Sequence, residues 1–353
     1  MNAIQHLLTK QTKEVQLSSP QQLKTQLPLT AIQQQHIAQQ RHHIHQILTG
    51  KDHRLLVIVG PCSVHDPIAV LEYAERLKQL QSQVADQMLL VMRAYIEKPR
   101  TTVGWKGFLY DPDLDGSANL QHGLSRSRQL YLQLIELGLP LATEVLNPMA
   151  TAYFDDLIAW GAIGARTSES QIHREIASLM PYSIGFKNGT DGSVQIALDA
   201  IQSASNSHHF LGMSQNGLPS ILTSVGNPAA HLILRGANHG TNYDAHSIAQ
   251  LKQQHQGQLP ALVIDCSHGN SGKDPLKQPQ ILAQIIAERH LTQVKGVMLE
   301  SHLVDGQQKI SDQMCYGQSI TDGCLGWEKT ATLLTEMSAL LAQQDHHKLS
   351  ILG

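Results

Sequence analysis

The sequence predicts an α/β fold: a (β/α)8 TIM barrel with an N-terminal helical extension and an inserted β-hairpin. Three observations carry this. Eight short apolar runs, many of them β-branched, recur between Leu55 and Ser301. Helical patterns separate most of these runs. Each run ends at or just before a polar or ionisable residue, and in a parallel barrel all such ends face one mouth. A doubly wound open sheet has the same linear order, because order alone does not close a ring.

Residues 1–50 stand apart as an extension for assembly or regulation, ahead of a catalytic barrel over 51–353. They are rich in Gln and His and hold no strand-like run. Ser19-Pro20 opens a short helix. Thr30 caps a longer one, in which Ile32, Ile37, Ile44, Ile47 and Leu48 recur at roughly helical spacing and which Gly50 ends. His42, His43 and His45 read as a solvated helix face rather than a metal site, since adjacent residues do not share a helical face.

The first strand, LLVIVG (55–60), stops at Gly60-Pro61, which delivers Cys62 to its carboxyl end. Asp66-Pro67 then caps a helix carrying Val70, Leu71, Ala74 and Leu77. The further strands are LLVMRA (89–94), PLATEV (140–145), AIGART (162–167), SIGFKN (183–188), HLILRG (231–236), LVIDCS (262–267) and GVMLES (296–301). One intervening helix runs through Leu130, Leu134 and Leu137 to Gly138. Another is opened by Asn147-Pro148 and closed by Gly161. Others follow Thr167-Ser168, Asp191, Asp244 and Asp274-Pro275. Residues 208–226 break the alternation. Two apolar runs around Gln215-Asn216-Gly217 read there as the inserted hairpin. A helix from Trp327 to about Leu341 ends the barrel.

Composition narrows the function. Of 353 residues, 41% are apolar, enough for a sizeable core, and the net charge of −3 suggests neither a nucleic-acid nor a membrane surface. Four cysteines at this length fit a reduced, cytoplasmic protein better than a disulfide framework. The N-terminus lacks a basic start followed by an apolar run, so no leader is expected.

The polar strand ends form two groups. Arg93, Lys98, Arg166, Lys187 and Arg235 converge as cations, a costly arrangement unless a small phosphorylated, carboxylated ligand lies among them. Arg100, Thr101 and Thr102 of EKPRTTVGWKG offer a place for a second phosphate. Cys62, His268, Glu300 and Asp322 are a mixed soft and hard donor set that suits Mn²⁺, Fe²⁺, Co²⁺ or Zn²⁺. Cys266 reads as core or wall. Cys324 lies near enough to the donors to pair with Cys62 on oxidation. GNSGKD (269–274) lacks the spacing and hydroxyl of a phosphate loop. Asp265, Ser267 and His268 are not expected to form a hydrolase triad, because neighbours on a strand face opposite ways.

The blocks GPCSVHD, MRAYIEKPRTTVGWKG, ATEVLNP, WGAIGARTSESQIHRE, GFKNGTDG, HLILRG, DCSHGN, ESHLVDG and YGQSITDGCLGWE closely resemble the type I 3-deoxy-D-arabino-heptulosonate 7-phosphate (DAHP) synthases, over about residues 20–340. The resemblance implies a (β/α)8 barrel that condenses phosphoenolpyruvate with erythrose 4-phosphate. It implies metal ligation by Cys62, His268, Glu300 and Asp322, and phosphoenolpyruvate binding by Arg93, Lys98, Arg166, Lys187 and Arg235. Arg100 and Thr101 would take the sugar phosphate. Asp322 adjoins both substrate and metal. Lys98 would protonate the nascent alkoxide, and Glu144 with His268 would orient or deprotonate the attacking water. The resemblance further implies an aromatic amino acid as feedback effector and a homodimer or homotetramer. The chain departs from the family's usual pattern at 179–183 and at 208–217, so the inhibitor is not named by the resemblance. Two alternatives are an octulosonate 8-phosphate synthase-like enzyme and a catalytically silent effector-binding subunit. A metal-dependent phosphosugar hydrolase is a weaker third.

Overall fold

The computed structural model describes residues 14–100 and 102–352, with side chains for all of these except 345–352. Thr101 and the first thirteen residues, where no leader is expected, lie outside the described residues.

Eight parallel strands close a ring. They are β1 (Leu55–Gly60), β2 (Met88–Arg93), β3 (Leu141–Glu144), β4 (Trp160–Ile163), β5 (Ser183–Lys187), β8 (His231–Leu234), β9 (Leu262–Asp265) and β10 (Gly296–Glu300). The hairpin strands β6 (His209–Met213) and β7 (Pro219–Thr223) pair antiparallel outside the barrel. All eight predicted barrel strands form, and closure is decided by the pairing of β1 with both β2 and β10.

Burial on both faces explains the uninterrupted apolar runs. Leu55, Val57 and Val59 pack outward against the helices. Leu56 and Ile58 point inward with Val91, Ile233, Val263, Met298 and Trp160. Two helices precede β1: α1 (Pro20–Gln26) and α2 (Ala31–Leu48). Ser19 and Thr30 cap them, each with a reciprocal bond from the glutamine three residues on. Ile44, Ile47 and Leu48 of α2 pack into the inner cluster and floor the barrel. The open end is therefore the carboxyl end of the strands. His42 is exposed and His43 and His45 are half-buried, and the three form no metal-ligating group.

The predicted helix between Pro148 and Gly161 is a single turn, α5 (Thr151–Phe154); α3 (Pro67–Val84) and α4 (Leu120–Glu136) come before it. Arginines cap the carbonyls a longer helix would use. Arg128 donates to Tyr153 O at 3.0 Å, and Arg41 donates to Asp155 O at 2.6 Å and to Ile158 O at 2.7 Å. Helices α6 (Gln171–Leu179), α7 (Gln195–Ala204) and α8 (Ala245–Gln254) follow. After β9 come a one-turn α9 (His268–Ser271), α10 (Gln278–Ala287) and α11 (Arg289–Thr292). A long α12 (Trp327–Leu352) ends the chain, eleven residues beyond the predicted stop. No helix among the described residues is long and apolar enough to cross a membrane.

Candidate active site

The turn after β1 sets the floor of the site. Gly60 has φ +147°, and a Cβ there would lie 3.0 Å from Arg93 O, so only glycine lets β1 leave the barrel this close to β2. Gly60 pairs with Glu300 in register, which raises Cys62 and Glu300 to similar heights. Asp322 arrives from the loop after β10. The donor atoms of Cys62, Glu300 and Asp322 all lie within 4.8 Å of one another, a geometry able to hold a metal ion. Thiolate with two carboxylates is also chemically suited to a transition-metal dication. His268 stands outside that close group, but it lines the same small cavity as Glu300 and Asp322.

Charge is balanced tightly here. Lys98 Nζ donates to Cys62 Sγ at 2.7 Å and lies 3.0 Å from Asp322 Oδ2. Burial pushes the Cys62 thiol up to about 12, the Glu300 and Asp322 charges add to this, and Lys98 and Arg93 oppose it. Burial alone would raise the Asp322 carboxyl, but the Lys98 ammonium, with His268 and Lys273, holds it well below the usual carboxylate range. Cys324 is buried and free like Cys62, and the Cys62 and Glu300 charges help burial raise its thiol.

Above this floor lies a cavity of about 500 Å³, lined by Lys98, Arg100, Arg166, Lys187, Arg235 and Lys273 together with Glu144, His268 and Asp322. Lys187 and Arg235 are buried, whereas Arg100 and Arg166 are exposed at the rim. Arg93 lies beneath the cavity. Its Nη2 donates to Glu300 Oε1 at 3.1 Å, and its guanidinium stacks 4.1 Å from the Tyr95 ring centroid. There it steadies Glu300. Strand β4 ends at Ile163, earlier than its predicted end, so Arg166 sits on a turn whose amides at Thr167 and Ser168 bond Gly164 O.

The alternation argument for Asp265, Ser267 and His268 fails. Strand β9 ends at Asp265, and Ser267 turns the chain into α9. The three side chains meet: Ser267 Oγ donates to Asp265 Oδ1 at 2.6 Å, and His268 Nδ1 lies 2.8 Å from Asp265 Oδ2. They are still no hydrolase triad, because Ser267 Oγ lies on the Nδ1 side of the imidazole, at 3.1 Å, where Asp265 already sits. Asp265 also holds Lys187 Nζ at 2.7 Å. Burial would raise this carboxyl, but His268 and Lys187 hold it well below its ordinary range. Sequence reasoning missed Asp265 as a site residue. Its signal was a carboxylate at a barrel strand's carboxyl end. Glu97 was missed as well. It is buried, accepts from Tyr110 Oη at 3.2 Å and from Asn147 N at 3.4 Å, and burial pushes it up to about 7.

Residues 25–335 match the model of the DAHP synthetase I family. The chain belongs to that family. It is 46% identical over 340 residues to the Tyr-sensitive phospho-2-dehydro-3-deoxyheptonate aldolase of Salmonella typhimurium, covering 94% of this chain and 95% of that one. It is 47% identical to the Trp-sensitive aldolase of Escherichia coli, over 96% of this chain and 98% of the other. The solved phospho-2-dehydro-3-deoxyheptonate aldolase of Francisella tularensis superposes with a TM-score of 0.91 at 43% identity, covering 94% of this chain and 99% of that one.

The DAHP synthetase I chain has another cavity, whose lining shares no residue with the one at the barrel mouth. It measures about 440 Å³ and lies between the β6–β7 hairpin, α5 and α6, with Ile176, Leu179, Met180, Phe210 and Leu222 on its walls. The extension reaches the hairpin turn, where Gln21 N donates to Gln215 O at 2.8 Å and Lys24 Nζ to Gln215 Oε1 at 3.0 Å.

Proposed function

We propose that the chain is a DAHP synthase, condensing phosphoenolpyruvate with erythrose 4-phosphate and water to give DAHP and phosphate, the first step of the shikimate pathway. The observation that carries this is one cavity ringed by Lys98, Arg100, Arg166, Lys187, Arg235 and Lys273, directly above a Cys62–Glu300–Asp322 donor cluster. Asp322 and Asp265 offset the Lys98 and Lys187 charges, and the cationic ring they leave at the mouth suits polyanions, here two phosphorylated substrates.

Cys62, His268, Glu300 and Asp322 would hold one divalent ion, Mn²⁺, Fe²⁺, Co²⁺ or Zn²⁺, whose contribution is Lewis acidity toward the aldehyde. Lys187, Arg235, Arg166 and Lys98 bind and orient phosphoenolpyruvate, and Arg93, beneath the cavity, holds Glu300 in place. Arg100 and Thr101 take the sugar phosphate. Lys98 carries the proton for the nascent alkoxide, as the ammonium nearest the donor cluster. Glu144 and His268 line the same cavity and orient the attacking water.

The hairpin cavity supports a second reading, an aromatic amino acid as feedback effector. Its walls are mainly apolar and its size suits one such ligand, and relatives are named Tyr- or Trp-sensitive. Leu211 and Ile221, paired across the hairpin and both exposed, suit a homodimer or homotetramer. Free thiols at all four cysteines fit a cytoplasmic setting.

The test is phosphate release from phosphoenolpyruvate. Chelator-treated enzyme should be inactive, and Mn²⁺ should restore release only when erythrose 4-phosphate is present. Phe, Tyr or Trp, added singly, would then name the effector. Sugar-independent release, or none with any metal, refutes the synthase.

A further inference from the structure

The two halves of the site meet at one atom. Asp265 Oδ2 accepts from Lys187 Nζ at 2.7 Å and lies 2.8 Å from His268 Nδ1, while Oδ1 is taken by Ser267 N at 2.9 Å and Ser267 Oγ at 2.6 Å. Asp265 and Lys187 are buried, so solvent does not substitute for either partner. Asn270 Nδ2 braces the Asp265 carbonyl at 2.9 Å, which fixes the carboxylate's position. A carboxylate on Nδ1 sets the imidazole tautomer and leaves Nε2 with its lone pair outward.

We propose that Asp265 is a positioning residue that couples the metal site to the phosphoenolpyruvate site through this shared oxygen. Lys187 and His268 share Oδ2, and each donor draws on charge the other would otherwise have to itself. An anionic substrate that draws the Lys187 ammonium toward its phosphate or carboxylate releases Oδ2 to His268. The imidazole then becomes a better donor ligand through Nε2. By linkage the effect is reciprocal, so a cation on His268 holds Oδ2 and frees Lys187 for the substrate. This inference rests on the reading of His268 as a metal ligand and Lys187 as a substrate cation.

The experiment measures Mn²⁺ affinity of the full-length protein by chelator competition, with and without saturating phosphoenolpyruvate. No activity is read. In the wild type, phosphoenolpyruvate should tighten Mn²⁺ by about fivefold or more. In Asp265→Asn an amide replaces one acceptor, so Mn²⁺ should weaken by about ten- to a hundredfold, and the response to phosphoenolpyruvate should vanish. Lys187→Met covers the case in which Asp265→Asn does not fold. It removes the other donor to Oδ2, so Mn²⁺ should tighten without phosphoenolpyruvate. Arg100→Met, which removes an exposed cation from the cavity rim, should leave Mn²⁺ affinity nearly unchanged. A folded Asp265→Asn with wild-type Mn²⁺ affinity overturns the proposal, as does equal tightening by Lys187→Met and Arg100→Met. Wild-type protein that binds neither Mn²⁺ nor phosphoenolpyruvate refutes the site reading itself and the inference with it. Binding of both without coupling refutes the inference alone.

Discussion

Glu97 offers a quantitative test of the loops that carry the site. Its carboxyl is buried between β2 and β3, immediately before Lys98, with only two long hydrogen bonds from Tyr110 and Asn147. Burial raises it from the ordinary 4.5 to about 7. A carboxyl raised on folding contributes stability that is present below about pH 4.5 and lost as pH rises through about 7. The full loss is roughly 3 kcal/mol. Glu97→Gln keeps the shape of the protonated acid and cannot ionise. At pH 4, below the ordinary carboxyl value, the variant should match the wild type. At pH 8.5 it should be more stable by up to about 3 kcal/mol, which at about 2.1 cal/mol/K per residue corresponds to a Tm gain of roughly 4 °C. Thermal unfolding of both proteins at both pH values is the assay. Since every other group titrates alike in the two, the difference isolates Glu97. A constant offset between wild type and variant across pH would refute the reasoning.

Three further outcomes are expected. His231 accepts from Trp160 Nε1 at 3.1 Å and is lowered by burial from 6.5 to about 4, so it stabilises the fold above pH 6.5 and that contribution is lost as pH falls through about 4. His231→Gln, which can still accept from Trp160, should flatten the acid limb of a Tm-versus-pH curve. Arg128 is buried, pairs with Asp156 at 2.7 Å and caps Leu27 O at 2.8 Å; Arg128→Leu should cost about 3 kcal/mol by urea denaturation. Leu179→Trp, which fills the hairpin cavity, should abolish aromatic amino acid inhibition while leaving uninhibited kcat within about twofold, as read by phosphate release.

Much of the fold was legible because its strands are buried on both faces, which writes them as apolar runs bounded by caps and glycines. The hairpin was legible from Gln215-Asn216-Gly217, where Gly217 takes φ +78°. The one-turn α5 was not, because the guanidinium groups of Arg41 and Arg128 that end it come from distant helices. In the site, eight polar strand ends located one mouth, but their ranks were invisible. Arg93 and Arg235 look alike in sequence, yet one is tied beneath the floor to Glu300 and the other lines the cavity. Alternation along β9 misplaced Ser267 and His268 because the strand stops two residues before Ser267.

By itself, then, the sequence determined the element order, the end of the barrel that carries the chemistry, and the donor and cation types gathered there. Local propensity and burial pattern are properties of neighbouring residues. Tertiary structure alone decided that the ring closes, that Asp265 Oδ2 serves both Lys187 and His268, and that α2 floors the barrel. Each of these depends on a distance between residues far apart in the chain. No local pattern encodes such a distance, because it is set by how the whole core packs.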